Sequence, residues 1–205
     1  ITLTSVGGAK EITSSSTGNI TLTSTGQTVP ATAQTIALGA GNDKLTVNTA
    51  AKYEAELGAG NDTLVLGSIQ VLADSTFNLG AGDDILEVTS KANKIEIDFG
   101  AGSNTIKAIN ATTADLTDAT LKGTVSTIDL SIGNLKVTNG QFADFGSSIS
   151  LKGSAAKVLT VDANAATTAQ TIDLSTISAT NTTNSTIAVK GSANGDTIIG
   201  SVVAD

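Results

Sequence analysis

The sequence predicts an all-β chain wound as a right-handed parallel β-solenoid, a β-roll or β-helix with about 19–22 residues per coil. Three observations carry this. First, four segments align without gaps: 38–47 (LGAGNDKLTV), 57–66 (LGAGNDTLVL), 79–88 (LGAGDDILEV) and 99–108 (FGAGSNTIKA). Second, their first glycines, Gly39, Gly58, Gly80 and Gly100, lie 19, 22 and 20 residues apart. A period near 20 marks stacked coils, each touching only its neighbours. Third, apolar and polar residues alternate on both sides of each glycine loop, the period of a strand with one buried face.

The elements follow in order. At the start, ITLTS at 1–5 recurs at 20–24, again 19 residues on. Before each loop the inward pairs are Ile36 and Leu38, Ala55 and Leu57, Phe77 and Leu79, and Ile97 and Phe99. After each loop they are Leu45 and Val47, Leu64 and Leu66, Leu86 and Val88, and Ile106 and Ala108, with Thr46, Val65, Glu87 and Lys107 between them. Stacking at about 4.7–4.9 Å turns these positions into apolar columns, one of them Leu38, Leu57, Leu79 and Phe99. Helix signals are weak throughout, since β-branched residues dominate and Gly, Asn and Asp interrupt every few positions.

Residues 1–110 therefore read as a solenoid with four stacked Gly-Asp loops. Residues 111–205 are less regular. Segments 126–131 (STIDLS), 148–153 (SISLKG), 157–162 (KVLTVD), 171–175 (TIDLS) and 185–191 (STIAVKG) still read as short strands. They suit an irregular continuation of the solenoid or a separate β domain. A fifth loop returns at 191–200 (GSANGDTIIG). No Pro/Gly-rich linker divides the halves, and the single proline, Pro30, lies near the start. The chain starts at Ile1 and reads as a piece of a longer protein.

Composition narrows the chemistry. The 205 residues include no His, Cys, Met or Trp, and all eleven basic residues are Lys. Imidazole catalysis, thiolate chemistry, zinc–thiolate sites and disulfides are thereby excluded. A net charge of −8 with only five aromatic residues argues against nucleic-acid binding. No apolar run is long enough to span a membrane. Oxygen ligands are abundant, and hard cations prefer oxygen.

The repeated loop is G-A-G-[ND]-D-x-[LI]. Its glycines allow a sharp turn with positive φ and close backbone approach. Its second acid, Asp43, Asp62 or Asp84, places a carboxylate just before a strand. Stacked one strand spacing apart, two such charges repel by up to roughly 3 kcal/mol at an effective dielectric near 20. A divalent cation between successive loops reverses the sign, taking carboxylate oxygens and glycine-stretch carbonyls from both. Six to eight oxygens suit Ca²⁺ better than Mg²⁺. Four loops make three gaps, so up to three Ca²⁺ ions in a row are expected. The expected metal residues are Gly39, Gly41, Asp43, Gly58, Gly60, Asp62, Gly80, Gly82, Asp84, Gly100, Gly102 and Asn104. Asp196 would serve a further site at the C-terminal end.

These loops resemble the calcium-binding nonapeptide repeat of RTX proteins, G-G-x-G-x-D-x-U-x. Gly39, Gly58 and Gly80 match its second glycine, Gly41, Gly60 and Gly82 its later glycine, and Asp43, Asp62 and Asp84 its ligand Asp. Leu38, Leu57, Leu79 and Phe99 replace its first glycine, and one motif per coil replaces the usual two, so calcium is expected along one edge only. Asn104 replaces the ligand Asp in the fourth loop, which leaves that gap weak or empty.

Composition and repeat style are similar to those of bacterial surface-layer (S-layer) proteins exported by a type I route. That resemblance implies a secreted cell-surface protein in which Ca²⁺ drives folding and lattice self-assembly. The partners it implies are copies of the chain itself and cell-surface polysaccharide reached through other parts. An RTX adhesin is the alternative: a spacer, a ligand-binding module or an ice-binding domain. For the last, Ala40, Ala59, Ala81 and Ala101 stand where the ice-facing Thr is expected.

Asp83–Asp84, or Glu54 with Glu56 on one strand face, could form an acid/base pair. The aromatic platforms and basic residues that usually accompany such sites are almost absent, so no enzyme activity is expected.

Overall fold

The structure is a computed structural model that describes residues 1–4, 11–24, 33–48, 51–67, 74–154, 156–182 and 185–201. Ser5 and Pro30 lie outside the described residues. In chain order the first strands are β1 (Thr2–Thr4), β2 (Glu11–Thr13), β3 (Thr21–Ser24), β4 (Gln34–Ala37), β5 (Lys44–Val47), β6 (Tyr53–Glu56) and β7 (Thr63–Leu66). Next come β8 (Thr76–Asn78), β9 (Ile85–Val88), β10 (Lys91–Asp98), β11 (Asn104–Ala108), β12 (Thr113–Lys122), β13 (Val125–Leu130) and β14 (Asn134–Thr138). After helix α1 (Asn139–Asp144) follow β15 (Ile149–Gly153), β16 (Val158–Asp162), β17 (Thr171–Asp173), β18 (Ile177–Thr182), β19 (Thr186–Lys190) and β20 (Thr197–Ile199).

Strands alternate between two nine-stranded parallel sheets, so that one strand from each makes a coil. The first sheet runs β1-β3-β5-β7-β9-β11-β13-β15-β18 and the second β2-β4-β6-β8-β10-β12-β14-β16-β19. The pair β17–β20 forms a small parallel sheet of its own. The chain is a parallel β-solenoid, and both sheets continue from residues 1–110 into 111–205 without a break.

Register explains the core. One inward column of the first sheet is Leu22, Leu45, Leu64, Leu86, Ile106, Ile128 and Leu151, with Leu3, exposed on the end strand, in register before it. Facing it in the second sheet is Ile12, Ile36, Ala55, Phe77, Ile97 and Leu121. Leu38, Leu57, Leu79 and Phe99 are all buried, as their spacing requires. Glu54 and Glu56 alternate outward from buried Tyr53 and Ala55.

The irregularity of the second half begins with the two longest strands. Glu96–Asp98 of β10 pairs with Thr76–Asn78 of β8 and with Thr120–Lys122 of β12. Thr113–Asp115, at the other end of β12, pairs with Asn134–Lys136 of β14. The second sheet therefore steps sideways along β10 and β12, with register shifts between them. Helix α1 lies beside this step. Thr138 caps it through a reciprocal bond with Gln141, whose side chain also donates to the carbonyls of Leu116 at 2.7 Å and Ala119 at 2.6 Å. Phe142 and Phe145 pack edge to face in the core, 6.2 Å apart. The Thr-x-x-Gln capping box is the local sequence signal for this helix.

Candidate metal centre

The glycine loops stack in register. Ala40, Ala59, Ala81 and Ala101 form parallel bridges from coil to coil. The carbonyls of Gly39, Gly58 and Gly80 each accept the N–H of the next alanine at 3.0 Å. The chain needs glycine here for two reasons. Gly58 has φ +111°, and a Cβ on it would lie 1.7 Å from the Gly39 carbonyl oxygen. A Cβ on Gly60, at φ +127°, would lie 2.2 Å from the Gly41 carbonyl oxygen. Positive φ and near-contact stacking together leave no room for a side chain.

Two rails of side-chain hydrogen bonds tie the loops, and they run in opposite directions. On the exposed outer rail each side chain accepts from the coil that follows. Asn19 Oδ1 takes Asn42 N–H at 3.0 Å, Asn42 Oδ1 takes Asn61 N–H at 2.9 Å, Asn61 Oδ1 takes Asp83 N–H at 2.9 Å, and Asp83 Oδ1 takes Ser103 N–H at 2.7 Å. On the buried inner rail each side chain accepts from the coil before. Asp43 Oδ1 takes Ile20 N–H at 2.7 Å, Asp62 Oδ1 takes Asp43 N–H at 2.7 Å, Asp84 Oδ1 takes Asp62 N–H at 2.8 Å, and Asn104 Oδ1 takes Asp84 N–H at 2.9 Å. Together the rails satisfy loop N–H groups that have no strand partner.

The inner rail is incomplete as a hydrogen-bond system. Asp43, Asp62 and Asp84 are 2 %, 0 % and 0 % exposed. In each, Oδ2 is buried without a hydrogen-bond partner. A buried, unpaired carboxylate oxygen is costly, and here three stand in a row, one per coil. Burial is the main force raising the Asp62 carboxyl to about 6, with smaller contributions from the charges of Asp84 and Asp43, while the bond from Asp43 N–H works the other way. Asp84 is raised chiefly by burial too, with the Asp83 charge adding to it. Desolvation thus outweighs the like-charge repulsion that spacing alone suggests.

The donor set suits a hard cation. A carboxylate oxygen from each of two coils is free of hydrogen bonds. Among the described residues, no N–H donates to the carbonyls of Gly41 and Gly60, which point along the stack toward the next glycine. Among the described residues no three carboxylates converge on one point. The acids form a row, so an ion would lie between successive pairs rather than within a cluster.

The structure brings the four loop positions Asp43, Asp62, Asp84 and Asn104 into one rail and leaves Asp196 elsewhere. Asp196 lies just before β20 of the small sheet, where both its oxygens are occupied: Oδ1 accepts Gln170 N–H and the Ser192 hydroxyl at 2.8 Å each, and Oδ2 accepts Ser192 N–H at 2.5 Å. The bond from Gln170 and those from Ser192 hold its carboxyl below the ordinary value. Asp83 and Asp84 serve different rails, one exposed and one buried. Glu54 and Glu56 lie on the outer face of the second sheet, where Asn78 donates to Glu56 at 3.4 Å.

Sequence reasoning overlooked two parts of the site. An acid-free loop precedes the four: Ala40 N–H donates to Ser16 O, and Gly41 stacks on Gly18. The dipeptide Gly18-Asn19, which repeats Gly41-Asn42, was its signal. The outer rail of Asn19, Asn42, Asn61 and Asp83 was also legible as the Asn/Asp that precedes each inner position. No protein-family model, curated protein or solved structure matches the chain.

Proposed function

We propose that this chain is a structural, non-enzymatic solenoid segment whose loop edge is completed by divalent cations, calcium foremost. One observation carries this: three buried aspartate oxygens, one per coil, without a hydrogen-bond partner. Asp43, Asp62 and Asp84 would hold the ions, with loop carbonyls such as those of Gly41 and Gly60. The cation supplies charge neutralisation; the chain supplies the row of carboxylates, already aligned by the bonds to Oδ1.

The wider setting rests on the resemblance to RTX and surface-layer proteins. In this proposal the chain belongs to a secreted bacterial coat whose subunits assemble with copies of themselves. Calcium sites of 10⁻⁴–10⁻³ M affinity, typical of extracellular modules, would stay empty in the cytosol and fill after export. Filling would then be coupled to stability.

The test is thermal unfolding of chelator-treated protein at pH 7.5, titrated with CaCl₂ and, separately, MgCl₂. A calcium-dependent rise in Tm of several degrees, larger than magnesium gives, is expected. Identical melting in chelator and in millimolar calcium would end the proposal. Asp196→Ala is expected to leave the calcium response unchanged. Ordered sheets in negative-stain micrographs after calcium addition would support a coat; monodisperse rods would favour the adhesin alternative.

A second reading has its own support in the raised Asp62 carboxyl: protons, rather than metal, neutralise the inner rail. Acid would then stabilise the chain and calcium would not.

A further inference from the structure

We propose that Asn104 and Ile20 close the inner rail at its two ends, so that it holds two cations rather than three, both of them shared by Asp62. This rests on the cation reading above and fixes its capacity.

Asn104 occupies the fourth rail position and is fully buried. Its Oδ1 accepts Asp84 N–H at 2.9 Å, the job a carboxylate does in the three coils before it. Its Nδ2 donates to the carbonyl of Thr124 at 3.0 Å. No carboxylate can make that second bond at neutral pH, since an ionised acid only accepts. The amide thus uses the direction in which the aspartates leave Oδ2 open. It ends the row of free oxygens and ties the last loop to a turn, Gly123–Thr124, that has no acid. The next loop completes the closure: the Thr124 hydroxyl donates to Gly102 O at 3.3 Å.

The other end is closed by a different residue. Ile20 stands at the rail position of the preceding coil, buried in the core, and gives only its backbone N–H to Asp43. Between these ends lie three carboxylates with a free oxygen each, Asp43, Asp62 and Asp84. Three carboxylates in a row bound two gaps, and Asp62 borders both. An ion between Asp84 and Asn104 would meet one charge and one amide whose N–H groups repel it.

The experiment counts calcium per chain by equilibrium dialysis at saturating CaCl₂. Wild type is expected to bind two. Asp84→Asn, which keeps an acceptor for Asp62 N–H, shortens the row and is expected to bind one. Asn104→Asp lengthens it and is expected to bind three, with a melting temperature below wild type in chelator that calcium restores. Three ions on wild type, or no gain on Asn104→Asp in calcium, would overturn the assignment of Asn104 while leaving the cation reading intact. No calcium on wild type would overturn both. If Asn104→Asp does not fold even in calcium, the decision falls to Asp84→Asn: one ion supports the two-gap row, and an undiminished count of two overturns it.

Discussion

Asp62 accepts the backbone N–H of Asp43 at 2.7 Å through one carboxylate oxygen and buries the other with no hydrogen-bond partner. One side chain therefore does two separable things. Its bonded oxygen fixes the stacking of two coils. Its other oxygen carries buried charge that, in the proposal above, a cation neutralises.

In metal-free protein the inner rail is expected to contribute less stability as pH rises. Burial lifts Asp62 from 3.8 to about 6 in the fold. Between these values the folded chain keeps a proton that the unfolded chain has released, so folding is favoured below the window and weakened above it. Asp84 acts in the same direction. In chelator, the Tm difference between wild type and Asp62→Asn should widen from pH 4 to pH 7.5, with wild type the lower. A difference independent of pH would contradict the assignment.

Calcium is expected to reverse that slope, because it binds only ionised carboxylates. The rise in Tm caused by millimolar calcium should be near zero at pH 4.5 and largest above pH 7. A calcium effect of equal size at both values would place the ions elsewhere.

Asp62→Ala and Asp62→Asn separate the two roles. Both are expected to abolish most of the calcium response. Only Ala leaves the buried N–H of Asp43 without an acceptor, at a cost of about 1–3 kcal/mol. Chemical denaturation in chelator should therefore rank Ala below Asn by that amount. Equal stability would show that the bond to Asp43 contributes nothing.

The glycines offer a test independent of metal. Gly58→Ala drives a Cβ into the Gly39 carbonyl at 1.7 Å, whereas Gly146 has a similar φ, +123°, with nothing within 4 Å. Gly146→Ala is expected to cost about 1–2 kcal/mol from backbone strain alone. Gly58→Ala adds a clash of backbone with backbone and should cost at least about 4 kcal/mol, the range reserved for severe core defects. Similar losses at both sites would mean that the coils stack less tightly than the structure has them.

Gln141 anchors the second half. Gln141→Leu removes its two bonds to β12 carbonyls and half of the helix cap. A loss of about 2–4 kcal/mol is expected, with calcium binding unchanged. Unaltered unfolding would show that α1 merely decorates the step between β10 and β12.

Much of this architecture was readable in advance because the first half obeys one rule. Leu45, Leu64, Leu86 and Ile106 recur at loop-defined intervals, and the structure pairs them directly. The second half resisted because β12 is ten residues long and pairs differently at its two ends, a tertiary choice that no local period encodes. At the site, Gly-x-Gly-x-Asp gave the row of acids. It did not give the direction of their bonds: each Asp reaches back one coil, while each preceding Asn or Asp reaches forward. Nor did it reveal that the amide of Asn104 finds a carbonyl in a loop lacking the motif. Those depend on which coil each side chain faces, and only the stacked backbone decides that.

The sidestep in the second sheet has a mechanical corollary. Nearly every hydrogen-bonded row joins adjacent windings, so a force pulling the two ends apart meets a series of similar weak links and peels them singly. At β10 and β12, strands of eight and ten residues, the windings overlap over a longer run than elsewhere among the described residues, like a lap joint in a spliced rope. A stretched filament would pay out its terminal turns first and hold longest at its middle.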